Sequence, residues 1–176
     1  MSSPALHVVL IGPMAVGKTS IGRVVAEHLQ RPFLDSDAWI EARLGMSGRA
    51  FADTQGLDSL HELELSVFLE MAASPEPSVI APAESVVDTE DGRGTLLDLF
   101  TVSLTADPKT LLARRNPDDH RRRMSPEELQ LRSASRATHL SACSEMVVRT
   151  DRTSETQAAN DIVEAFNSGR VRDPRV

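Results

Sequence analysis

The chain has 176 residues, so a single domain with its own hydrophobic core is the default expectation. Its net charge is −7 and no basic stripe with interleaved aromatic residues occurs, which argues against a nucleic-acid partner. The single cysteine, Cys143, excludes an internal disulfide bond and a cysteine metal site, and we expect it to be buried. We find neither an apolar run of membrane-spanning length nor a signal peptide, and therefore expect a cytoplasmic protein without a membrane partner.

The most informative stretch is Gly-Pro-Met-Ala-Val-Gly-Lys-Thr, residues 12–19, between a predicted strand at 6–11 and a predicted helix at 18–30. Its spacing is that of a phosphate-binding loop, the alternative being a bare glycine turn. Gly12 and Gly17 allow the backbone to curl so that N–H groups point at phosphate oxygens, and the helix adds its positive N-terminal end. Lys18 would reach the outer phosphates, and the Thr19 hydroxyl would bind Mg²⁺.

Two acidic residues end the second predicted strand, at residues 32–37. Strand geometry would place Asp35 and Asp37 on one face at the carboxyl edge of the sheet, where ligands bind in open α/β folds. The alternative is that Asp37 is a helix N-cap. We expect Trp39 and Ile40, which follow, to lie in the core.

The rest of the chain alternates strands with helices, which predicts a three-layer α/β domain with a five-stranded parallel sheet. We expect Asp58 or Ser59 to be the N-cap of the helix predicted at residues 58–72. The further strands are predicted at residues 78–81, 101–105 and 146–148, and a loop at 82–85. The further helices are predicted at residues 48–54, 58–72, 95–100, 107–115, 125–141 and 155–166, before a loose tail at 169–176.

Residues 116–125 are polar and basic, with no apolar periodicity. Three adjacent arginines, residues 121–123, suggest a lid that closes on phosphates. The alternative is a solvated basic turn.

Taken together, these motifs resemble the shikimate kinase family of P-loop kinases, over about residues 6–166. The resemblance is carried by the loop with its continuation Ser-Ile-Gly-Arg, and by Pro-Phe-Leu-Asp-Ser-Asp with Trp-Ile-Glu after it. It continues in Gly45-Met46-Ser47, Gly56, Leu-His-Glu-Leu-Glu at residues 60–64, Ser-Val-Ile-Ala at residues 78–81, and Arg136 four residues before Leu140.

This resemblance implies one P-loop kinase domain over residues 1–176, with strand order 2-3-1-4-5. An acceptor-binding helical segment would cover about residues 38–73 and the lid about 116–125. It also implies ATP and Mg²⁺ as cofactors, a monomer or at most a weak dimer, and phosphoryl transfer to a hydroxyl of a small cyclic acid, a step of aromatic amino acid biosynthesis.

The same resemblance implies roles for individual residues. Lys18, Asp35 and Asp37 would be catalytic, Asp35 through the water shell of a metal that Thr19 also holds, and Asp37 as the base that binds the acceptor hydroxyl. The residues that contact ATP would be Gly12, Met14, Ala15, Val16, Gly17, Lys18, Thr19, Ser20 and Arg114, with Arg115 as the alternative at the adenine. The substrate would meet Asp37, His61, Glu84, Arg136 for its carboxylate, and a lid arginine among Arg121, Arg122 and Arg123, represented by Arg122.

Three departures from the family affect the acceptor side. Ala83-Glu84-Ser85 stands where the family has three glycines, His61 where it has a substrate-binding arginine, and Leu140 where it has a tyrosine. Losing a fixed cation and gaining a carboxylate both work against an anionic acceptor. We therefore expect an intact ATP half and an altered acceptor half that takes a neutral or cationic acceptor, such as a polyol, sugar or amino alcohol.

Several alternatives remain open for these residues and for the function. Glu84 could instead help hold Mg²⁺ or take the hydroxyl proton, and both it and His61 could be ordinary surface or core residues. On the resemblance, shikimate is the best single named acceptor. A gluconate-type sugar kinase and a degenerate, non-catalytic ATP-binding regulatory paralogue are the alternatives.

Overall fold

The computed structural model describes residues 7–114 and 125–169. Five parallel strands form one sheet in the order β2-β3-β1-β4-β5, which confirms the predicted fold class and topology. The strands are β1 Val8–Ile11, β2 Phe33–Asp35, β3 Val79–Ala81, β4 Phe100–Thr105 and β5 Met146–Arg149. The helices are α1 Lys18–Leu29, α2 Ser36–Leu44, α3 Gly48–Gln55, α4 Leu57–Ala72, α5 Glu90–Leu97, α6 Pro108–Ala113, α7 Pro126–Ala142 and α8 Glu155–Asn167, with a 3₁₀ helix at Glu84–Asp88.

The central strand β1 is fully buried, and its alternate residues face two different layers of helices. Val8 and Leu10 pack on one face with residues of α1 and α8. Val9 and Ile11 pack on the other face with residues of α4 and α7. The buried Cys143, which directly follows α7, also packs there. Because the five strands are parallel, their carboxyl ends all lie at the same edge of the sheet. The loop after β1 lies at this edge.

The segment after β3 differs most from the sequence prediction. The helix expected at residues 95–100 lies instead at Glu90–Leu97, where Thr89 caps it by accepting a hydrogen bond from Gly92 N. Gly92 and Gly94 are poor helix formers, so the low helix propensity of this segment gave no indication that a helix begins at Glu90. The loop predicted at residues 82–85 is confirmed only for its first half, because the 3₁₀ helix begins at Glu84.

Two further local predictions were wrong. Gly56, not Asp58 or Ser59, is the N-cap residue of α4, because the helix begins at Leu57. Trp39 is 38% exposed, whereas Ile40 is buried as expected. In α2 only Ser36 and Ile40 are buried, four residues apart, so Trp39 lies beside the stripe that faces the core.

Some predictions fall on residues that the structure does not describe. The proposed lid at 116–125, with Arg121, Arg122 and Arg123, lies outside the described residues except for its last position, Ser125. Of the helices within residues 7–114 and 125–169, none combines the length and the apolar character that a bilayer span requires.

Candidate active site

The loop after β1 has the backbone shape that a phosphate cradle needs. Gly12, Ala15 and Gly17 all have positive φ angles, of 147°, 65° and 105°. A Cβ at Gly12 would stand 2.3 Å from the carbonyl oxygen of Leu104, so the loop passes too close to β4 for any side chain there. Gly17 caps α1 with its backbone alone, and no side chain of the described residues caps that helix, so its first N–H groups face an anion-binding position.

The side chain of Lys18 folds back over this loop. Its Nζ donates hydrogen bonds to the carbonyl oxygens of Gly12, at 2.7 Å, and of Pro13, at 3.3 Å. The ammonium group is thereby held at the mouth of the cradle, where phosphate oxygens are stronger acceptors than neutral carbonyl groups.

Asp35 joins the loop to the second strand. Thr19 Oγ1 donates to Asp35 Oδ2 at 2.8 Å, while Asp35 Oδ1 accepts from the backbone N–H groups of Asp37 and Ala38 at 3.0 and 3.4 Å. Asp35 is therefore the N-cap of α2 and Asp37 lies in its first turn. The expectation that both aspartates lie on one strand face was wrong, and so was the alternative that Asp37 is the cap, because the cap on Asp35 starts the helix two residues earlier.

A cavity of about 570 Å³ nevertheless brings the two aspartates together with the loop. Its lining includes residues 15–21, Asp35, Asp37, Ala81 and Arg114. Of the predicted nucleotide contacts, Gly12 and Met14 do not line it, and of the predicted substrate contacts neither His61, Glu84 nor Arg136 does.

The far wall of this cavity was missed by the sequence analysis. It consists of Thr150, Thr153, Ser154 and Glu155, between β5 and the start of α8. Arg114 is fixed against this wall, because its Nη1 donates to Thr150 Oγ1 at 2.9 Å and its Nη2 to the Thr150 carbonyl oxygen at 2.8 Å. The signal that could have found the wall is topological, since the end of β5 lies at the same sheet edge as the loop.

Asp151 holds this wall to the neighbouring corner of the sheet. Its Oδ2 accepts from Asp107 N at 3.1 Å, and its carboxylate also accepts from the Arg149 guanidinium at 2.7 and 3.1 Å. The hydrogen bonds from Arg149 hold the pKa of Asp151 well below its usual range. The wall is therefore anchored by a carboxylate that stays charged at neutral pH.

On the side predicted to bind the acceptor, Arg136 of α7 is buried and engages two carboxylates of the 3₁₀ helix. Its Nη1 donates to Glu84 Oε2 at 3.0 Å, its Nε to Asp88 Oδ1 at 2.9 Å, and its Nη2 to Asp88 Oδ2. Burial alone would lower the pKa of Arg136, but the hydrogen bonds and charges of Asp88 and Glu84 outweigh it and raise the pKa. We call these three residues the acceptor-side cluster.

The neighbouring α4 adds a further carboxylate beside this cluster. Ser85 Oγ donates to Glu64 Oε2, which ties the 3₁₀ helix to α4. His61 lies one turn before Glu64 and is half-buried. Asp88 was missed by the sequence analysis, because it is 48 residues from Arg136 and no local pattern connects the two.

The oxygen atoms of Thr19 and Asp35 suit a magnesium ion, which prefers hard oxygen ligands. Among the described residues no group of three or more histidine, cysteine or acidic side chains forms a metal cage. A magnesium ion here would therefore be held by one or two side chains together with phosphate oxygens, as is usual in phosphoryl-transfer sites.

Comparison with known proteins identifies what this chain is similar to. A family model described as shikimate kinase matches residues 14–167. The shikimate kinase of Chromohalobacter salexigens is 35% identical over 173 residues, covering 95% of this chain and 94% of that protein. The shikimate kinase of Symbiobacterium thermophilum is 31% identical over 165 residues, covering 90% and 95%.

Solved structures show the same fold. A shikimate kinase from Acinetobacter baumannii in complex with shikimate superposes with a TM-score of 0.87 at 24% identity, over 95% of this chain and 96% of that one. A gluconokinase from Sinorhizobium meliloti superposes less closely, with a TM-score of 0.56 at 20% identity, over 97% and 94%.

Proposed function

The chain belongs to the shikimate kinase family, and on that premise we propose that MgATP binds in the cavity after β1 and that Asp37 activates the hydroxyl of the acceptor. Family membership makes the chain an ATP-dependent small-molecule kinase resembling shikimate kinase, a phosphotransferase that acts on a hydroxyl group. The assignment of each role to a residue is our proposal. The observation that carries it is that Lys18, Thr19 and the two aspartates line one cavity.

The nucleotide phosphates lie in the loop at residues 12–19, against its backbone N–H groups and the start of α1. Lys18 leaves the carbonyl oxygens of Gly12 and Pro13 and donates to the outer phosphate oxygens. Thr19 and Asp35 would hold Mg²⁺, which would supply neutralisation of the charge on the transferring group. Arg114, fixed on Thr150, contacts the adenine side of the nucleotide.

Asp37 performs the proton chemistry. Its carboxylate accepts a hydrogen bond from the acceptor hydroxyl and takes the proton as the hydroxyl oxygen bonds to the γ-phosphorus, while the bond from the γ-phosphorus to the bridging oxygen breaks and ADP leaves. Its position in the first turn of α2 is fixed by the cap that Asp35 provides. Residues 38–73, which contain α3, α4 and most of α2, form the surface against which the acceptor binds.

The remaining proposals follow from family membership and from the sequence. The chain forms one domain over residues 1–176, acts as a monomer in the cytoplasm, requires Mg²⁺ and uses a lid arginine, Arg122, on the phosphates. Its partner is a small molecule rather than a nucleic acid.

The test is ADP release with MgATP against shikimate, gluconate and a set of neutral polyols, in the native chain and in Asp37→Asn. We expect Asp37→Asn to lower kcat by about 10²–10⁴-fold, because a general base contributes that much, and to leave MgATP affinity in calorimetry unchanged. Asp98→Asn, at an exposed position after α5, is the matched control and should retain full activity.

Three results would count against the proposal. Full activity in Asp37→Asn would remove Asp37 from the reaction. Absence of a binding heat with MgATP would remove the cavity as the nucleotide site. Binding of MgATP without ADP release for any acceptor would favour the non-catalytic regulatory paralogue.

A further inference from the structure

The acceptor-side cluster contains more negative than positive charge. All three nitrogens of the Arg136 guanidinium donate to Glu84 and Asp88, so one cation faces two carboxylates. The side chain of Arg136 is 8% exposed and that of Glu84 is 15% exposed. Charge-assisted hydrogen bonds of this kind are stronger than neutral ones, and a bidentate pair fixes the geometry as well. The charge of the guanidinium and three of its five N–H donors are therefore already engaged by carboxylates of the protein itself.

The surroundings add further acceptor atoms, and one further cation, Arg93, donates to the carbonyl oxygen of Val87 in the same 3₁₀ helix at 2.8 Å. Glu84 Oε1 is buried and has no hydrogen-bond partner among the described residues. Glu64 brings a third carboxylate to the same 3₁₀ helix through Ser85. A buried oxygen without a donor attracts hydrogen-bond donors and repels further anions.

The acceptor-side cluster is close along the chain to the proposed acceptor position, although none of its three residues lines the cavity. The 3₁₀ helix begins at Glu84, three residues after Ala81, and Ala81 lines the cavity together with Asp37. An acceptor whose hydroxyl meets Asp37 and that reaches past Ala81 would meet a cluster whose cation, Arg136, is already paired with two carboxylates.

We infer that Glu84 and Asp88 determine acceptor specificity by occupying Arg136 with the protein's own carboxylates, so that the acceptor of this kinase is neutral or cationic and not a carboxylate. This inference rests on the proposed function for the position of the acceptor. Glu84 takes the place beside Arg136 that the carboxylate of an acidic acceptor would need.

The test compares two probes that differ in one charge, shikimate and its neutral methyl ester. Their affinities are measured by calorimetry in the presence of MgADP, so that no turnover is required. We expect the native chain to bind shikimate at least about tenfold more weakly than the ester, because a like charge at short range costs that much or more. We expect Glu84→Gly to bind shikimate about 10–100-fold more tightly than the native chain and to change ester binding less than threefold.

A second change and a control separate charge at this site from charge in general. Adding Asp88→Asn to Glu84→Gly should tighten shikimate binding further, since it frees the rest of the guanidinium. Glu76→Gln removes an exposed carboxylate in the turn before β3, at the opposite edge of the sheet, and should change neither affinity. Glu84→Gln, which keeps the volume of the side chain, replaces Glu84→Gly if the latter fails to melt cooperatively.

The inference is overturned if the native chain binds shikimate as tightly as the ester. It is equally overturned if shikimate affinity stays within twofold of the native value in the folded Glu84 variants. Because these readouts are binding constants, they stand even if no acceptor supports ADP release, a result that would contradict the proposed function instead.

Discussion

The nucleotide side and the acceptor side share one sheet edge but are built by different kinds of contact. On the nucleotide side the decisive groups come from a continuous loop, and Lys18 donates to a carbonyl oxygen only six residues away. On the acceptor side Arg136 reaches carboxylates 48 and 52 residues away, on another element. A backbone cradle depends on few side chains, whereas a side-chain cluster can change its chemistry through one or two substitutions.

The contacts described above for Lys18 and Arg136 also differ in kind. The partners of Lys18 include two neutral carbonyl groups, which phosphate oxygens can outcompete. Arg136 donates to two carboxylates and is buried, so removing it from them would leave uncompensated charge. We therefore expect substitution of Lys18 to affect chemistry and substitution of Arg136 to affect stability.

The largest effect is expected from Lys18→Ala. Removing the cation that meets the outer phosphates should lower kcat/KM by about 10²–10³-fold, in the range found for single electrostatic contacts to a transition state. Steady-state ADP release measures it. Lys109 is the other lysine of the chain and is exposed on α6, so Lys109→Ala is the matched control. Equal losses in the two variants would contradict a specific role for Lys18.

The next effect is expected from Arg136→Met. It leaves the largely buried Glu84 without its cation, which should lower the free energy of unfolding by about 3 kcal/mol. Urea denaturation measures the loss. Arg43→Met breaks an exposed pair with Glu70, whose side chains are 54% and 49% exposed, and should cost less than about 1 kcal/mol. If Arg136→Met were as stable as Arg43→Met, the acceptor-side cluster would not be a structural ion pair.

The difference between local contacts and contacts between distant elements explains which parts of the molecule could be predicted from the sequence. The loop and the five parallel strands were recovered because the glycine spacing and the apolar strands are local signals, whereas the strand order was implied by the family resemblance. The placement of Asp35 and Asp37 at the start of α2 was mispredicted because a single side-chain cap decides where a helix begins. No periodicity reports a cap of this kind.

For a related reason, the partners of Arg136 were not predicted. Asp88 and Arg136 meet only because the 3₁₀ helix turns the carboxylate towards α7. That helix was itself expected to be a loop. Contacts between distant elements follow from the packing of the whole fold, and local patterns carry little information about them.

A smaller effect is expected from Gly12→Ala, which tests whether the nucleotide side depends on backbone shape. The positive φ angle and the 2.3 Å approach to Leu104 O should together cost about 1–3 kcal/mol of stability and weaken MgATP binding. Thermal melting and calorimetry measure the two losses. Gly94→Ala is the control, because a Cβ there meets nothing within 4 Å and the residue lies in α5. It should stabilise the chain by about 0.5–1 kcal/mol.

The smallest effect is expected from two helix caps, one on each side. Ser47 Oγ accepts from Ala50 N at the start of α3, a helix with no buried residue, while Ser154 Oγ accepts from Gln157 N at the start of α8, which buries Ala158, Ala159 and Ile162. Replacing either serine by alanine should cost about 1 kcal/mol.

The location of that loss should differ between the two variants. In Ser47→Ala the loss should stay within α3, because few buried contacts couple this helix to the core, and the amide exchange of residues 48–55 should rise by about fivefold. In Ser154→Ala the loss should appear in the global unfolding transition, because α8 packs on the sheet beside α1. Hydrogen exchange at residue resolution distinguishes the two. A global loss in both variants would mean that α3 is coupled to the core as tightly as α8, and that the acceptor side is as firmly built as the nucleotide side.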